Sequence, residues 1–301
     1  MNVEFFFNLL FSGLTRGSIY ALLALGYTMV YGIIKLINFA HGEIYMIGAF
    51  TALIMTSVFT ILNMPVVAII GLVALISIVW SAMYGYTMEK VAYKPLRQAP
   101  RLSALISAIG MSLFLQNYVR LAQTSDFLRF PRNLPEFRFL DRISGLTSSQ
   151  LIIFITTAVV MVILTVLIKF TRVGKSMRAA AQDRTMALLS GVNVNRVISI
   201  TFIIGSATAA IGGILISSHI GQINFYIGFL AGIKAFVAAV LGGIGSIPGA
   251  VLGSFILGLS ESYAAGYISS DYEDVFAFVI LVLILIFRPS GLIGKPAAQK
   301  V

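Results

Sequence analysis

The sequence predicts an all-α protein, a polytopic bundle of transmembrane helices that forms a single domain over residues 1–301. Hydrophobic residues make up 58% of the chain and charged residues only 11%, whereas a soluble domain carries about 25% charged residues. The apolar residues form long continuous runs, not the alternating segments of roughly ten residues that build membrane barrels. Because only helices and closed barrels satisfy their backbone groups inside hydrocarbon, helices are expected.

Nine apolar runs approach the roughly 20 residues that a membrane span requires, which predicts eight or nine crossings. Glycines interrupt or flank the second, seventh and eighth runs, so some segments are expected to be broken at Gly or Pro. The runs cover residues 9–31, 43–62, 66–88, 102–120, 149–168, 197–217, 226–242, 249–266 and 270–287.

The distribution of Lys and Arg predicts the orientation, because cytoplasmic loops are enriched in them. The basic stretches 90–101, 169–196 and 288–300 are therefore expected in the cytoplasm, and the acidic stretch 261–274 outside. Loop 121–148 also holds four arginines, but it lies one span from each of two basic loops and should face away from both. This count places the N-terminus outside and the C-terminus inside. The N-terminal side changes if one glycine-broken segment is re-entrant.

Several classes of function are disfavoured. The net charge of +10 resides in short loops between spans, so it indicates topology and not a nucleic-acid partner. The chain has no cysteine and only two histidines, His41 and His219, far apart in sequence, so no metal site is expected. It has no Gly-x4-Gly-Lys-[Ser/Thr] run, paired-Asp signature or His-Glu-x-x-His. We therefore expect no enzyme, no catalytic residue and no cofactor, and any driving ATP would bind another chain.

The stretch 174–193 is too polar to span a membrane but is rich in good helix formers, which predicts a short helix from about 176 to 189. Gly191 is a natural residue just beyond the end of such a helix. The helix could be a solvated loop element or a docking helix that fits a groove on a partner.

Asn38, His41 and Glu43 lie at the start of the second segment, next to Gly42. Polar groups in spans are functional hypotheses by default. A broken helix here would free backbone groups to face a substrate path. The alternative is an interfacial turn in which Asn38 caps the helix and His41 and Glu43 reach water.

The second half of the chain repeats a glycine pattern, Gly-x5-Gly-Ala, offset by 201 residues. Corresponding Gly/Pro-broken segments in two halves point to a transporter pathway, although small residues also serve plain helix packing. Both interpretations stay open. The residues concerned are Gly42, Gly48 and Ala49 in the first half and Gly243, Gly249 and Ala250 in the second, where Gly245 lies within the spacer.

Two further features concern the second half. Lys234 lies within an apolar run and needs a partner or access to the interface, and Glu261 is one candidate partner. A polar group after the sixth span could help to receive substrate or be an ordinary wetted loop: His219, Gln222, Asn224 and Tyr226.

Four stretches carry a family resemblance. Residues 174–193 resemble the coupling loop of permeases from bacterial ABC importers. Residues 38–50 are similar to the Asn-x-Ala-His-Gly segment of the Liv-type branched-chain amino-acid permeases, residues 242–253 to their glycine-rich segment and 288–294 to their closing motif. The match is nearest to the LivH type of subunit. The matching positions of the coupling loop are Gly174, Arg178, Ala179, Asp183, Ala187, Gly191, Val192 and Asn193.

The resemblance implies a permease subunit that carries leucine, isoleucine or valine across a bacterial cytoplasmic (inner) membrane. Its partners would be a second permease of the LivM type, two ATPase subunits that bind ATP and Mg, and a periplasmic substrate-binding protein. The loop 174–193 would contact the ATPase. The candidate translocation pathway comprises Asn38, His41, Gly42, Glu43, Gly48, Gly243, Gly245 and Gly249. The alternative is a stand-alone secondary transporter or channel for small solutes, which would need intramembrane carboxylates for ion coupling.

Overall fold

The computed structural model describes residues 3–131, 135, 146–288 and 290–294, and its secondary structure is almost entirely helical. A π-helical turn, Glu89–Tyr93, extends the third helix, and a 3-10 turn, Ser270–Tyr272, precedes the last. Strands β1, Leu128–Arg129, and β2, Gln222–Ile223, pair antiparallel, with Leu128 opposite Ile223. The α-helices are α1 Val3–Ile34, α2 His41–Ile61, α3 Val66–Met88, α4 Arg101–Ala122, α5 Ser148–Phe170, α6 Arg172–Gln182, α7 Arg184–Leu189, α8 Val194–Ile220, α9 Ile227–Gly242, α10 Ile247–Tyr267 and α11 Glu273–Phe287.

The predicted count of eight or nine crossings is not confirmed. Among the described residues, six helices (α1 to α5 and α8) are long and apolar enough to cross a membrane. Helices α9 and α10 meet at a bend of 119° and form at most one broken span, which raises the count to seven. The predicted segment 270–287 contains a helix of only 15 residues, about 22 Å long at 1.5 Å per residue. The hydrocarbon core of a bilayer is about 30 Å thick.

The break between α9 and α10 depends on glycine. Gly243 and Gly245 have φ angles of +105° and +96°, which residues with a Cβ rarely adopt. Pro248 then occupies the first turn of α10, where a missing backbone N–H costs no helical hydrogen bond. Hydropathy alone separates the two runs but does not reveal that the chain folds back between them.

Helix α1 forms the centre of the bundle. Residues 17–30 are all buried, as expected of a helix that is apolar on every side. Glycines bring α1 against α10: a Cβ built on Gly17 would lie 2.9 Å from the Cα atom of Phe255, and one on Gly258 would lie 2.4 Å from the nitrogen of Gly17. Small residues allow this close approach of two helix backbones in a membrane.

The three basic stretches meet at one end of the bundle, called here the lower end, where α1 terminates. The guanidinium of Arg184 donates to the carbonyl of Ile33, 2.7 Å away, and the side chain of Arg97 donates to that of Asn195. The backbone N–H of Leu292, beyond Arg288, donates to the carbonyl of Leu241, 3.0 Å away. Lys295 and Lys300 of the predicted basic tail lie outside the described residues.

The opposite, upper end holds the beginning of α1 and the ends of α8 and α10. The Ser262 hydroxyl donates to the carbonyl of Leu9 at 2.7 Å, and the backbone N–H of Phe130 donates to the carbonyl of Gly221 at 2.9 Å. The described part of loop 121–148 therefore faces away from the basic loops, as parity predicts. Three of its arginines, Arg132, Arg138 and Arg142, lie outside the described residues.

Candidate translocation pathway and coupling surface

Helix α2 begins inside the bundle, not at its surface. A Cβ built on Gly26 would lie 2.2 Å from Nε2 of His41, so the first residue of α2 is level with Gly26. Gly26 precedes the end of α1 at Ile34 by eight residues, or about 12 Å. The chain reverses at Lys35, whose φ is 59°, and residues 35–40 lead back into the protein. Non-helical backbone at this depth is tolerated only where protein surrounds it or where it lines a cavity.

Asn38, His41 and Glu43 are 2%, 2% and 0% exposed. The interfacial-turn alternative is therefore wrong: His41 and Glu43 do not reach the surface of the chain. Asn38 does not cap α2, whose N-cap residue is Ala40; its Oδ1 atom accepts a hydrogen bond from the Tyr93 hydroxyl at 2.7 Å. These residues are buried because the chain turns inward at Lys35, and the polarity of the side chains in the sequence does not reveal this turn.

The polar atoms of these three side chains are buried within the bundle. The Ser112 hydroxyl donates to Oε1 of Glu43 at 2.9 Å. Oε2 of Glu43, Nε2 of His41 and Nδ2 of Asn38 have no hydrogen-bond partner within the described part of the chain. Each buried polar group left in this state costs roughly 1–3 kcal/mol. A polar centre of this kind suits a path for a polar solute better than it suits a structural core.

The first glycine segment brings α2 into backbone contact with two other helices. A Cβ on Gly42 would lie 2.2 Å from the carbonyl oxygen of Gly228 in α9, and one on Gly48 would lie 2.7 Å from the Cα atom of Ala210 in α8. Close packing therefore explains both glycines. Their part in translocation stays a prediction.

The second glycine segment lies at the α9–α10 break, and its closest neighbours are different. A Cβ on Gly249 would lie 2.4 Å from the carbonyl oxygen of Gly242, and one on Gly243 would lie 2.5 Å from the nitrogen of Gly294. A Cβ on Gly245 would meet no atom of the described residues within 4 Å. The repeated Gly-x5-Gly-Ala pattern thus marks two separate packing sites.

The single helix predicted over 176–189 is two helices, α6 and α7, divided at Asp183. Asp183 has extended backbone, with φ −153° and ψ 116°, and its side chain caps α7. Its Oδ1 atom accepts hydrogen bonds from the N–H groups of Thr185 and Met186 at 2.8 and 3.0 Å. Aspartate is favoured at such caps and disfavoured inside helices, which is why the predicted helix is broken there.

Glycines also shape this loop. The N–H of Gly174 donates to Oγ1 of Thr171 at 3.0 Å, and a Cβ on Gly174 would lie 2.3 Å from the carbonyl oxygen of Ile168. Only glycine therefore lets α6 fold back against the end of α5. Gly191 has a φ of +82° and follows the last residue of α7 by two positions, as predicted.

Of the remaining predicted coupling residues, some are buried against the bundle and others are exposed on its surface. Arg178 is exposed and donates to the carbonyl of Ile168, Ala179 is half-buried and Ala187 is buried. Next to Ala187, Met186, Leu188 and Leu189 are 61%, 62% and 75% exposed. Helix α7 therefore presents an apolar surface away from the bundle.

Sequence reasoning missed the role of Arg184. Its Nε and Nη2 atoms both donate to the carbonyl oxygen of Ile33, at 2.9 and 2.7 Å, so α7 is tied to the last turn of α1. Burial lowers the pKa of the Arg184 guanidinium below its ordinary value, and the neighbouring positive charge of Arg97 lowers the pKa further. An arginine beside a helix-capping aspartate is the only sequence signal, and it does not identify a partner 151 residues away.

A buried ion pair at the lower end was also missed. Glu89 is fully buried; its carboxylate pairs with Arg97 and accepts a hydrogen bond from the Ser199 hydroxyl at 2.8 Å. The pair fixes the loop after α3 against the start of α8. In the sequence, Glu89 is simply the one acid in a basic loop.

The fold and the buried polar centre define a polytopic helical membrane protein in which α2 begins inside the bundle and α9 and α10 form a bent pair, features typical of transporters. The chain belongs to the family described as "Branched-chain amino acid transport system / permease component", whose model matches residues 9–285.

Several curated relatives are similar over nearly the whole chain. The permease protein LivH of a high-affinity branched-chain amino acid transport system in Salmonella typhimurium is 47% identical over 308 residues, covering 99% of this chain and 98% of the relative. The LivH protein of Escherichia coli K12 is 46% identical over 305 residues, covering 99% and 98%. The corresponding protein BraD of Pseudomonas aeruginosa is 50% identical over 297 residues, covering 97% of each.

Proposed function

We propose that this chain is the membrane-spanning permease subunit of an ABC importer for branched-chain, apolar amino acids, driven by ATP hydrolysis in separate subunits. The observation that carries the proposal is identity of 46–50% to permeases named for this transport, over 97–99% of the chain. The described helices and the three basic loops at one end are consistent with insertion in a bacterial cytoplasmic membrane.

The partners of the proposed complex are a second permease of the LivM type, two ATPase subunits and a periplasmic substrate-binding protein. ATP and Mg²⁺ would bind to the ATPase subunits, and this chain would bind neither. Leucine, isoleucine or valine would pass through the bundle near Asn38, His41 and Glu43.

The proposed contact with an ATPase subunit is the outer surface of the α6–α7 loop. Helix α7 exposes Met186, Leu188 and Leu189, and a short helix with an apolar face fits a groove on a partner. Because Arg184 ties α7 to the carbonyl of Ile33, movement of α7 would be transmitted to α1, the central helix.

The proposal is tested in vesicles that contain the complete complex, by measuring leucine uptake and the stimulation of ATP hydrolysis by the loaded binding protein. Leu189→Glu and Arg178→Glu place a negative charge on the contact surface. We expect uptake to fall at least tenfold, with normal insertion of the chain. Gln182→Glu, in the same loop, is the matched control and should retain uptake and stimulation. Normal uptake and stimulation in both test variants would contradict the proposed contact.

The alternative, a stand-alone secondary transporter or channel, is favoured by one observation. Glu43 and Glu261 are fully buried carboxylates within helices, and ion coupling needs such groups. Uptake by the purified chain alone, driven by an ion gradient in vesicles without ATPase subunits, would support this alternative and overturn the importer proposal.

A further inference from the structure

A cavity of about 510 Å³ opens at the upper end of the bundle, a volume typical of sites for small molecules. It lies between the first half of α1, the end of α8, the beginnings of α9 and α11, and strand β2. Three of the polar residues predicted to receive substrate line it, namely His219, Gln222 and Asn224.

Two cations from different helices face this cavity and share one carboxylate. Nη1 of Arg16 lies 2.6 Å from Oε2 of Glu273, and Nζ of Lys234 lies 3.3 Å from Oε1 of the same side chain. All three residues line the cavity. A carboxylate thus bridges Arg16 of α1 and Lys234 of α9 at the cavity wall.

A second carboxylate holds the cations from behind. Glu261 is fully buried, lies 3.4 Å from Nζ of Lys234 and 3.8 Å from Arg16, and accepts a hydrogen bond from the Tyr20 hydroxyl at 2.7 Å. The predicted pairing of Lys234 with Glu261 is confirmed. Glu273 is 24% exposed where Glu261 is 0% exposed. Asp274, which is 52% exposed, also pairs with Lys234, and its Oδ1 atom lies 2.7 Å from Nζ. Glu273 is the accessible carboxylate that contacts both cations. It is therefore the partner between them that a solute can replace, and Glu261 is the fixed one.

The rest of the wall mixes aliphatic side chains with polar ones such as Ser12 and Thr15. Ile19 of α1, Ile216 of α8, and Ile227 and Leu230 of α9 line the same cavity. A site with a paired cation position and aliphatic walls matches a molecule that has a carboxylate at one end and a branched aliphatic chain at the other.

We propose that this cavity receives the amino acid, with the substrate carboxylate replacing Glu273 between Arg16 and Lys234 and the aliphatic side chain against Ile19, Ile216 and Leu230. The proposal rests on the proposed function and adds a binding site to it. Two charge-assisted contacts to one carboxylate provide orientation as well as affinity. Because Glu273 is the first residue of α11, its replacement also breaks the ion pair that ties the start of α11 to Arg16 of α1, while Asp274 stays paired with Lys234 of α9.

The test uses the absence of cysteine from the chain. Ala231→Cys places a thiol in the cavity wall, and Ser270→Cys places one at the same end of the bundle outside it. The complete permease–ATPase complex is prepared without the binding protein, and modification of each cysteine by a maleimide is followed by mass spectrometry. Leucine should protect the cysteine at 231 and leave the one at 270 reactive. 4-Methylvalerate, which lacks the amine, should also protect, whereas isoamylamine, which lacks the carboxylate, should not.

The leucine concentration that half-protects the cysteine at 231 measures how much each side chain of the cavity contributes to binding. Arg16→Gln and Lys234→Gln should each raise it about tenfold or more, because each removes a charge-assisted contact. Glu273→Gln should lower it, because the internal competitor loses its charge. Asp271→Asn, an exposed neighbour outside the cavity wall, should leave it unchanged.

The results would differ if the ion pair between Arg16 and Glu273 served only to stabilise the structure. The exchange Arg16→Glu with Glu273→Arg restores that pair but leaves the substrate position without Arg16. We expect this variant to assemble with normal thermal stability and to lose leucine protection. Restored protection in the exchange variant, or equal half-protection in Arg16→Gln and the unaltered chain, would overturn the inference. A complex that takes up leucine with ATP but shows no protection at 231 would overturn the inference alone, whereas absent ATP-driven uptake would count against the proposed function.

Discussion

Individual glycines determine how closely the helices of this protein approach one another. Gly42 and Gly71 are both in helices, yet their surroundings are opposite. A Cβ on Gly42 would lie 2.2 Å from the carbonyl oxygen of Gly228 and 2.8 Å from the Cα atom of Gly232, whereas one on Gly71 would meet no described atom within 4 Å. The residue type is the same, and only the neighbouring backbone distinguishes the two positions.

We predict that Gly42→Ala destabilises the protein by about 1–3 kcal/mol, because two backbones must move apart to admit the methyl group. Gly71→Ala should be neutral or stabilising, by up to about 1 kcal/mol, since alanine favours helix. Thermal unfolding of the purified chain, followed by loss of the monodisperse peak in size-exclusion chromatography, measures both. A Gly42→Ala chain as stable as Gly71→Ala would show that α2 and α9 are not in contact.

At the scale of elements, the loop between α5 and α8 depends on a helix cap. Asp183 separates α6 from α7 and accepts hydrogen bonds from Thr185 and Met186. The exposed surface of α7 is therefore oriented by one side chain and by the attachment of Arg184 to α1.

We predict that Asp183→Ala weakens α7 by about 0.5–2 kcal/mol, the usual cost of losing a helix cap. Amide hydrogen exchange in residues 184–190 should become faster, while exchange in α1 and α8 stays the same. Asp183→Asn keeps a capping oxygen but removes the charge, and it should leave exchange close to that of the unaltered chain. Equal acceleration in both variants would indicate that the charge, not the cap, holds α7.

At the scale of the whole molecule, the two ends differ in charge. The described parts of the three basic stretches gather at the lower end, and Glu273 and Asp274 lie with Arg16 and Lys234 at the upper end. Such a distribution predicts the lower end in the cytoplasm.

We predict that Ser190→Cys, just after α7 at the lower end, is labelled by a membrane-impermeant maleimide only after the cytoplasmic membrane is opened. Ser270→Cys, at the upper end, should be labelled in intact cells with a permeable outer membrane. Both side chains belong to exposed residues, and the chain has no other cysteine to react. The reverse pattern of labelling would overturn the orientation and, with it, the proposed ATPase contact.

The sequence by itself determined the helical fold class and the family and predicted the orientation of the loops, because hydropathy, loop charge and short motifs are local properties. It also predicted the ion pair between Lys234 and Glu261 and the position of Gly191 just beyond the end of a helix. Only the tertiary structure decided that α9 and α10 form a broken pair and that Asn38, His41 and Glu43 are buried. It alone placed Arg184 on Ile33 and Glu273 between Arg16 and Lys234. These features depend on where the chain reverses direction and on contacts between residues far apart in sequence, and no local pattern encodes such distances.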